Sequence, residues 1–231
     1  MARRTLLLLL KPFDVYPVAQ SDCLSRITNP QILHYLENRR KVHKDAINFC
    51  QNILRQKPVE WKPTVRSNLS EPIRDVDLVV TVGGDGTLLQ GSHFIDDSVP
   101  VLGVNSDPTQ PEEVLDNILE SQANPSKLTR ISIRVNSEVL PTYALNDIFN
   151  FTSMSGSTFA IVIQVHSRSS GLRVSTAAGS TAAMLSAGGF LMPILSQDLQ
   201  YMDGDAIEIS SNAPILKVFL PHHLHNISEE T

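Results

Sequence analysis

Apolar positions in the first half of the chain alternate between two textures, short unbroken runs and longer stretches at helical spacing. Thr5 to Leu10 is a continuous apolar run closed by Lys11-Pro12, which predicts a buried first strand. From Pro30 to about Arg55, the residues Ile32, Leu33, Leu36, Ile47, Cys50, Ile53 and Leu54 recur at roughly helical intervals. They predict a long amphipathic helix whose solvated face carries Arg39-Arg40-Lys41. Val59 to Pro72 breaks both periods and reads as a loop, with Trp61 packed against the body of the protein. Leu78 to Val82 predicts a second buried strand, Val99 to Val104 a third, and Pro111 to Glu120 a further helix. Such alternation implies a parallel sheet with helices on its faces, and ligands then lie beyond the carboxyl ends of the strands.

From Arg130 the texture changes to period two. Ile131–Val135, Thr158–Val165, Asp205–Ser210 and Lys217–Leu220 are the strand candidates. The fold class expected is α/β, with a Rossmann-like parallel-sheet domain over residues 1–128 and a β-rich domain over 129–231.

Composition narrows the function less than the pattern does. The chain has 231 residues and a net charge of -5, without any Lys/Arg block, which argues against a nucleic-acid partner. Cys23 and Cys50 have no metal-like spacing and fit a reduced compartment, so the sequons at Asn68, Asn150 and Asn226 are chance matches. Arg3-Arg4 ahead of Leu6–Leu10 imitates a signal peptide, but Lys11-Pro12 ends the run without a cleavage site. No stretch approaches the roughly 20 apolar residues of a membrane helix. The expected location is cytoplasmic, with the peroxisome or another organelle as the alternative.

Three segments carry chemistry. The first is Gly83-Gly-Asp-Gly-Thr87, which follows the strand at Leu78–Val82. Glycines bring backbone close to a ligand, and Thr87 is placed to cap a helix through Leu88 and Leu89. The N–H groups so exposed would cradle phosphate. Asp85 is the odd member, because a carboxylate repels phosphate unless it binds a metal or takes a proton. A hairpin turn is the other reading, since Asp-Gly is a common turn pair. The second segment is Asn146-Asp147: an amide suits an adenine edge and a carboxylate suits ribose hydroxyls, while a plain polar turn would also explain the pair. The third is Gly171 to Ala183, a short strand meeting a small-residue turn with Ser175, Thr176, Ser180 and Thr181, then a helix ending at Gly188-Gly189. Close approach of a flat ligand and tight helix–sheet packing both account for it.

In this order the three segments resemble the NAD kinase family. The motifs are Gly-Gly-Asp-Gly-Thr at 83–87, Asn146-Asp147, and Ser175-Thr176 followed by Gly179-Ser180-Thr181-Ala182. The first alone would also fit lipid kinases or phosphofructokinases. Lys11-Pro12, Val59–Pro63, His93–Ser98, Leu102–Pro108 and Arg168–Gly171 look like the plant NADH kinase branch, so the resemblance covers nearly the whole chain. It implies transfer of the ATP γ-phosphoryl group to the 2′-hydroxyl of NADH or NAD, with Mg²⁺ as the accompanying cation and, where the β-rich domain is intact, a homodimer as the assembly. By position, Asp85 would be the catalytic acid-base group, and Gly83, Gly84, Gly86 and Thr87 would hold the donor phosphates. Asn146, Asp147, Thr181, Ala182 and Ser186 would hold the dinucleotide. Many relatives carry Asp where this chain has Ser170 and Tyr where it has Ala183, and both changes occur in the NADH-preferring branch. The branch also has longer chain after Gln110, and further strands between Leu199 and Asp203, where here Gln200–Asp205 joins helix-side sequence to a late strand. The chain thus resembles an internally shortened form, and a catalytically impaired dinucleotide binder or a lipid or sugar kinase are the alternatives.

Overall fold

The computed structural model describes residues 3–15, 29–106, 115, 118–120, 124–135, 138–151, 171–203, 205–210 and 215–219. The strand expected over 158–165, Ser170, Cys23 and most of the helix expected over 111–120 lie outside them. The chain divides into two compact units, Met1–Gly91 with Val101–Asn124, and Ser92–Pro100 with Pro125–Thr231.

The first unit is built on four parallel strands: β1 (Arg4–Leu10), β2 (Val59–Val65), β3 (Leu78–Gly83) and β4 (Val101–Asn105). Their spatial order is β2-β1-β3-β4. Every residue of β3 is buried, as the apolar run requires for a strand covered on both faces. Helix α1 (Pro30–Gln56) crosses from β1 to β2. Its start is set by Asn29, whose side chain accepts from the Gln31 N–H at 2.9 Å, and by Pro30 in the first turn, where a missing N–H costs nothing. Ile47, Cys50, Ile53 and Leu54 are buried as the spacing predicts, each large aliphatic side chain contributing about 1.5–3 kcal/mol. Ile32, by contrast, is exposed and the first buried residue of α1 is His43, so the buried stripe begins later than the periodicity suggests.

Val59–Val65 is a strand and not a loop. It pairs in parallel with β1 from Arg4↔Val59 to Leu10↔Val65. Pro63 and two charged residues, Glu60 and Lys62, hid it, yet a strand at the end of the order needs only one hydrogen-bonding side, which is where proline is tolerated. Trp61 in it is half-buried, packed as expected.

In the second unit β5 (Ser126–Thr129) pairs antiparallel with β12 (Ile215–Phe219), and β6 (Ile131–Val135) pairs with β7 (Glu138–Ala144). A four-stranded sheet runs β11-β10-β9-β8, from β8 (Asp147–Phe151) and β9 (Gly171–Ser175) to β10 (Asp198–Asp203) and β11 (Asp205–Ser210). Ile131, Val174 and Leu199 form its core, with Ala144, Ile148 and Tyr201 packed against them. Arg130 is wholly buried. One guanidinium nitrogen donates to the carbonyls of Ser92 and Ile95 at 2.9 and 2.6 Å, and the plane stacks 4.6 Å from the Tyr143 ring centre. This is what ties Ser92–Pro100 to a unit otherwise formed from Pro125 onwards.

Leu199–Asp203, expected to be part of a simple join, lies instead in strand β10. β10 pairs with β9 through Gln200↔Ser175 and with β11 through Gln200↔Glu208. Buried Gln200 exchanges two hydrogen bonds with the Phe190 backbone, donating at 2.9 Å and accepting at 3.1 Å.

Candidate active site

In a parallel sheet ordered 2-1-3-4, the chain leaves β1 toward one side and β3 toward the other. The crevice at their carboxyl ends is where such folds bind ligands. Lys11 follows β1 there, and Gly83 to Thr87 follow β3. The two are stitched together by the Lys11 N–H donating to the Val82 carbonyl at 3.0 Å, and Ser106 N–H donates to the Gly83 carbonyl at 3.0 Å. A cleft of about 310 Å³ opens at this edge, bordered by Lys11, Tyr35, Arg39, Gly84, Asn105 and Ser106. That is the lower end of the size range of small-molecule sites. Arg39 therefore lines the cleft and does not belong to a merely solvated face. Its guanidinium Nε donates to the Tyr35 hydroxyl at 3.0 Å.

The glycine segment is a strand-to-helix turn and not a hairpin, because α2 (Asp85–Ser92) begins directly behind Gly84. None of the three glycines takes a positive φ, so space and not backbone strain explains them. A Cβ on Gly83 would collide with the Thr87 hydroxyl, whereas one on Gly84 would meet nothing within 4 Å. The ground above Gly84 is open to a ligand. Thr87 is not the cap. The helix starts two residues earlier, and Thr87 is fully buried with its N–H on the Gly84 carbonyl at 2.8 Å. Its hydroxyl accepts from Arg66 Nη1 at 3.4 Å. Asp85, the first residue of α2, is exposed, and the positive end of the helix dipole favours its negative charge.

Behind the cleft, His43 on α1 is wholly buried and donates from Nε2 to the Lys11 carbonyl at 2.9 Å. Desolvation holds its pKa below the ordinary histidine value, so it serves as a neutral prop for the end of β1. Burial likewise pushes the Cys50 thiol up to about 11, an inert core cysteine.

In the second unit Asn146 occupies the turn between β7 and β8, and its main chain is a junction. The Asn146 carbonyl accepts from the Thr176 N–H at 2.9 Å, and Gly179 lies so close that any Cβ there would collide with it. Thr176 also donates to the Leu145 carbonyl, and Ser180 bridges the Ala177 carbonyl and the Met192 N–H. Three of the four hydroxyls of this turn (Ser175, Thr176 and Ser180) are thus spent on framework, as the packing reading has it, and all three residues are buried. Thr181 and Ser186 remain exposed and Ala182 half-buried. Between them a 3₁₀ turn at Ala178–Thr181 leads into the short helix α3 (Ala183–Ser186). That helix ends at Gly188 with φ +103, where Gly188 and Gly189 N–H groups donate to Leu185 and Met184 carbonyls, both at 3.0 Å. The Asp147 carboxylate accepts from Arg173 Nη1 at 2.5 Å across the β8–β9 pair, a partner that sequence reasoning missed. Period-two registration, with Phe149 opposite Arg173 and the diagonal position at Asp147, was the signal that could have revealed it.

Taken unit by unit, the chain presents a phosphate-type glycine loop at a sheet switch point and a small-residue turn locked to an Asn-Asp corner. Residues 25–107 match the ATP-NAD kinase N-terminal domain. The chain is 47% identical over 313 aligned positions to an NADH kinase of Arabidopsis thaliana, covering 98% of this chain and 99% of that protein. Among solved structures, it is similar to an NAD kinase from Archaeoglobus fulgidus in complex with ATP, at 16% identity and a TM-score of 0.57, covering 89% of this chain and 77% of the other. Yeast NADH kinase complexed with NADH also superposes with a TM-score of 0.57, at 18% identity over 90% of this chain and 66% of the other. The chain belongs to the NAD kinase family. These matches support phosphorylation of NAD(H) and lend nothing to the lipid- or sugar-kinase alternative. The Arabidopsis alignment is longer than the 231 residues available here, so that relative carries internal residues which this chain lacks.

Proposed function

We propose that the chain transfers the γ-phosphoryl group of ATP to the 2′-hydroxyl of NADH or NAD, giving NADPH or NADP and ADP. The observation that carries this is the exposed Asp85 carboxylate directly behind the open Gly84, at the carboxyl edge of the parallel sheet. The new bond joins the 2′-oxygen to Pγ, the Pγ–O bond to ADP breaks, and Asp85 takes the hydroxyl proton. Phosphoryl transfer is mainly positioning and charge neutralisation, so a carboxylate can accept that proton late.

The Gly83, Gly84 and Gly86 backbone supports the donor phosphates, with Thr87 holding the turn. Asn146 and Asp147 recognise the dinucleotide, and Thr181, Ala182 and Ser186 line its pocket. Among the described residues, no three His, Cys, Asp or Glu side chains gather as a metal cage. Mg²⁺ is ordinarily held by one or two carboxylates plus substrate phosphates, and Asp85 is the exposed carboxylate at the glycine loop that would serve. Bound there, the cation would neutralise phosphate charge beside Asp85. A homodimer and a cytoplasmic location complete the reading; among the described residues no helix is long and apolar enough to cross a membrane.

The deciding measurement is incubation of the purified chain with ATP, Mg²⁺ and either NADH or NAD. NADPH or NADP should form in step with ADP. ADP release without either product would overturn the assignment.

A further inference from the structure

Arg66 sits where the free chain gives it little reason to be. It follows β2 at the carboxyl edge of the sheet, in the segment that read as a loop, and opens the 3₁₀ turn Arg66–Asn68. Its main chain is fixed there, the carbonyl accepting from Gln90 Nε2 at 3.2 Å and from the Leu69 N–H at 3.3 Å. Nη1 reaches to 3.1 Å from where a Gly86 Cβ would stand and 3.4 Å from the Thr87 hydroxyl. The guanidinium thus lies against the first turn of α2, whose dipole end is positive and repels a cation.

Arg130 shows what a structural arginine looks like in this same protein. It makes two short carbonyl bonds, stacks on Tyr143 and is fully buried. Arg66 is half-buried, and among the described residues its side chain makes one hydrogen bond, at 3.4 Å, beyond the usual N–H···O range of about 2.7–3.2 Å. Among the described residues no carboxylate pairs with it. A guanidinium carries five donors in a planar fork, and Nη1 of this one stands beside the glycine loop. Lys11 flanks the loop's other end, with its Cβ 3.0 Å from where a Gly83 Cβ would be. A polyanion laid across Gly84 would meet a cation on each side.

We propose that Arg66 is a catalytic residue of the phosphoryl transfer, contacting the terminal phosphates of the donor and neutralising the charge that builds as Pγ passes from ADP to the 2′-oxygen. This rests on the kinase reading above. It predicts that Arg66 acts on the phosphate chain and not on the dinucleotide.

The test compares wild type, Arg66→Ala and Arg66→Lys by calorimetric binding of ATP, ADP, AMP and NADH, melting temperature, and kcat and KM for each substrate. Arg66→Ala should weaken ATP and ADP binding relative to AMP and leave NADH affinity and melting temperature near wild type. It should lower kcat by about 100-fold or more, the scale for removing one preorganised donor. Arg66→Lys should fall between, because a point charge replaces a bidentate fork. Added guanidinium ion should restore part of the Arg66→Ala rate. Equal loss of AMP, ATP and NADH binding with a lower melting temperature and no rescue would overturn the proposal in favour of a structural role. Unchanged ATP binding and turnover would overturn it outright. If wild type makes no NADP(H) yet the ATP-over-AMP preference still depends on Arg66, the kinase reading fails alone and the phosphate contact stands. Wild type that binds no ATP would sink both.

Discussion

Asp85 is the residue on which the chemistry turns, and its environment makes a clean test possible. It is exposed and begins a helix, so Asp85→Asn preserves shape and removes only the ability to accept a proton. Turnover should drop by about 100-fold or more while nucleotide binding and melting behaviour hold. Near-normal turnover would take Asp85 out of the mechanism. For the dinucleotide, Asn146→Ala combined with Asp147→Ala should raise the KM for NADH far more than that for ATP, each lost buried polar contact being worth about 1–3 kcal/mol. Because Asp147 is also bonded to Arg173, the calorimetric comparison should include Arg173→Ala, which removes the internal partner and leaves the carboxylate. If NADH affinity is unchanged in the double variant, the pair is only a corner between β7 and β8. The candidates themselves were visible in the sequence because small residues, a lone carboxylate and an Asn-Asp pair are chemically unusual where they stand. Arg66 and Arg39 were not, since a cation in a polar stretch or on the wet face of a helix looks like any solvated one until its neighbours are known.

At the scale of elements, the tightest coupling lies where the turn at Ala178–Thr181 meets the Asn146 corner. Gly179 is there because no side chain fits between the two backbones. Gly179→Ala should force them apart and shift the Asn146 carbonyl from the Thr176 N–H. The expected result is a loss of melting temperature together with weaker NADH binding, ATP binding in the first unit being spared. Measuring both affinities beside thermal unfolding checks this, and a neutral substitution would mean that the two segments are not mechanically joined. The errors at this scale share a cause. β2 is an edge strand with a proline and a half-wet surface, so it lacked the apolar signature of β3. The Thr87 hydroxyl gives it the chemistry of a cap, whereas the missing Cβ of Gly83 lets that side chain fold back and the helix start sooner.

At the scale of the whole molecule, the internal residues that this chain lacks relative to the Arabidopsis protein bear on stability. The second unit leaves Leu185, Phe190, Leu191 and Leu195 exposed around α3 and the segment after it, Leu191 at 62%. Apolar groups so grouped favour association when nothing covers them. The chain should melt at a lower temperature than a version with the relative's internal segments restored, aggregate on mild heating, and turn over NADH more slowly per molecule. Thermal unfolding, light scattering and NADH-dependent ADP release on the two forms decide it. A cooperative, high-melting short form with equal activity would show that the β-rich unit closes well without them.

Sequence by itself determined the strand–helix alternation of the first unit, the burial of β1 and β3, the three chemistry-bearing segments and, through them, the family. These are properties of local period and residue type, which neighbouring chain cannot much alter. Only the tertiary structure decided that Arg39 and Arg66 stand beside the glycine loop, that Ser175, Thr176 and Ser180 are structural, that Arg130 is internal, and that Gln200 belongs to a strand. Each of those depends on which backbone atoms, distant in sequence, come within hydrogen-bonding reach: the Ser92 and Ile95 carbonyls for Arg130, the Phe190 backbone for Gln200, the first turn of α2 for Arg66. A polar side chain's role is set by the partner it finds, and the partner is chosen by the fold.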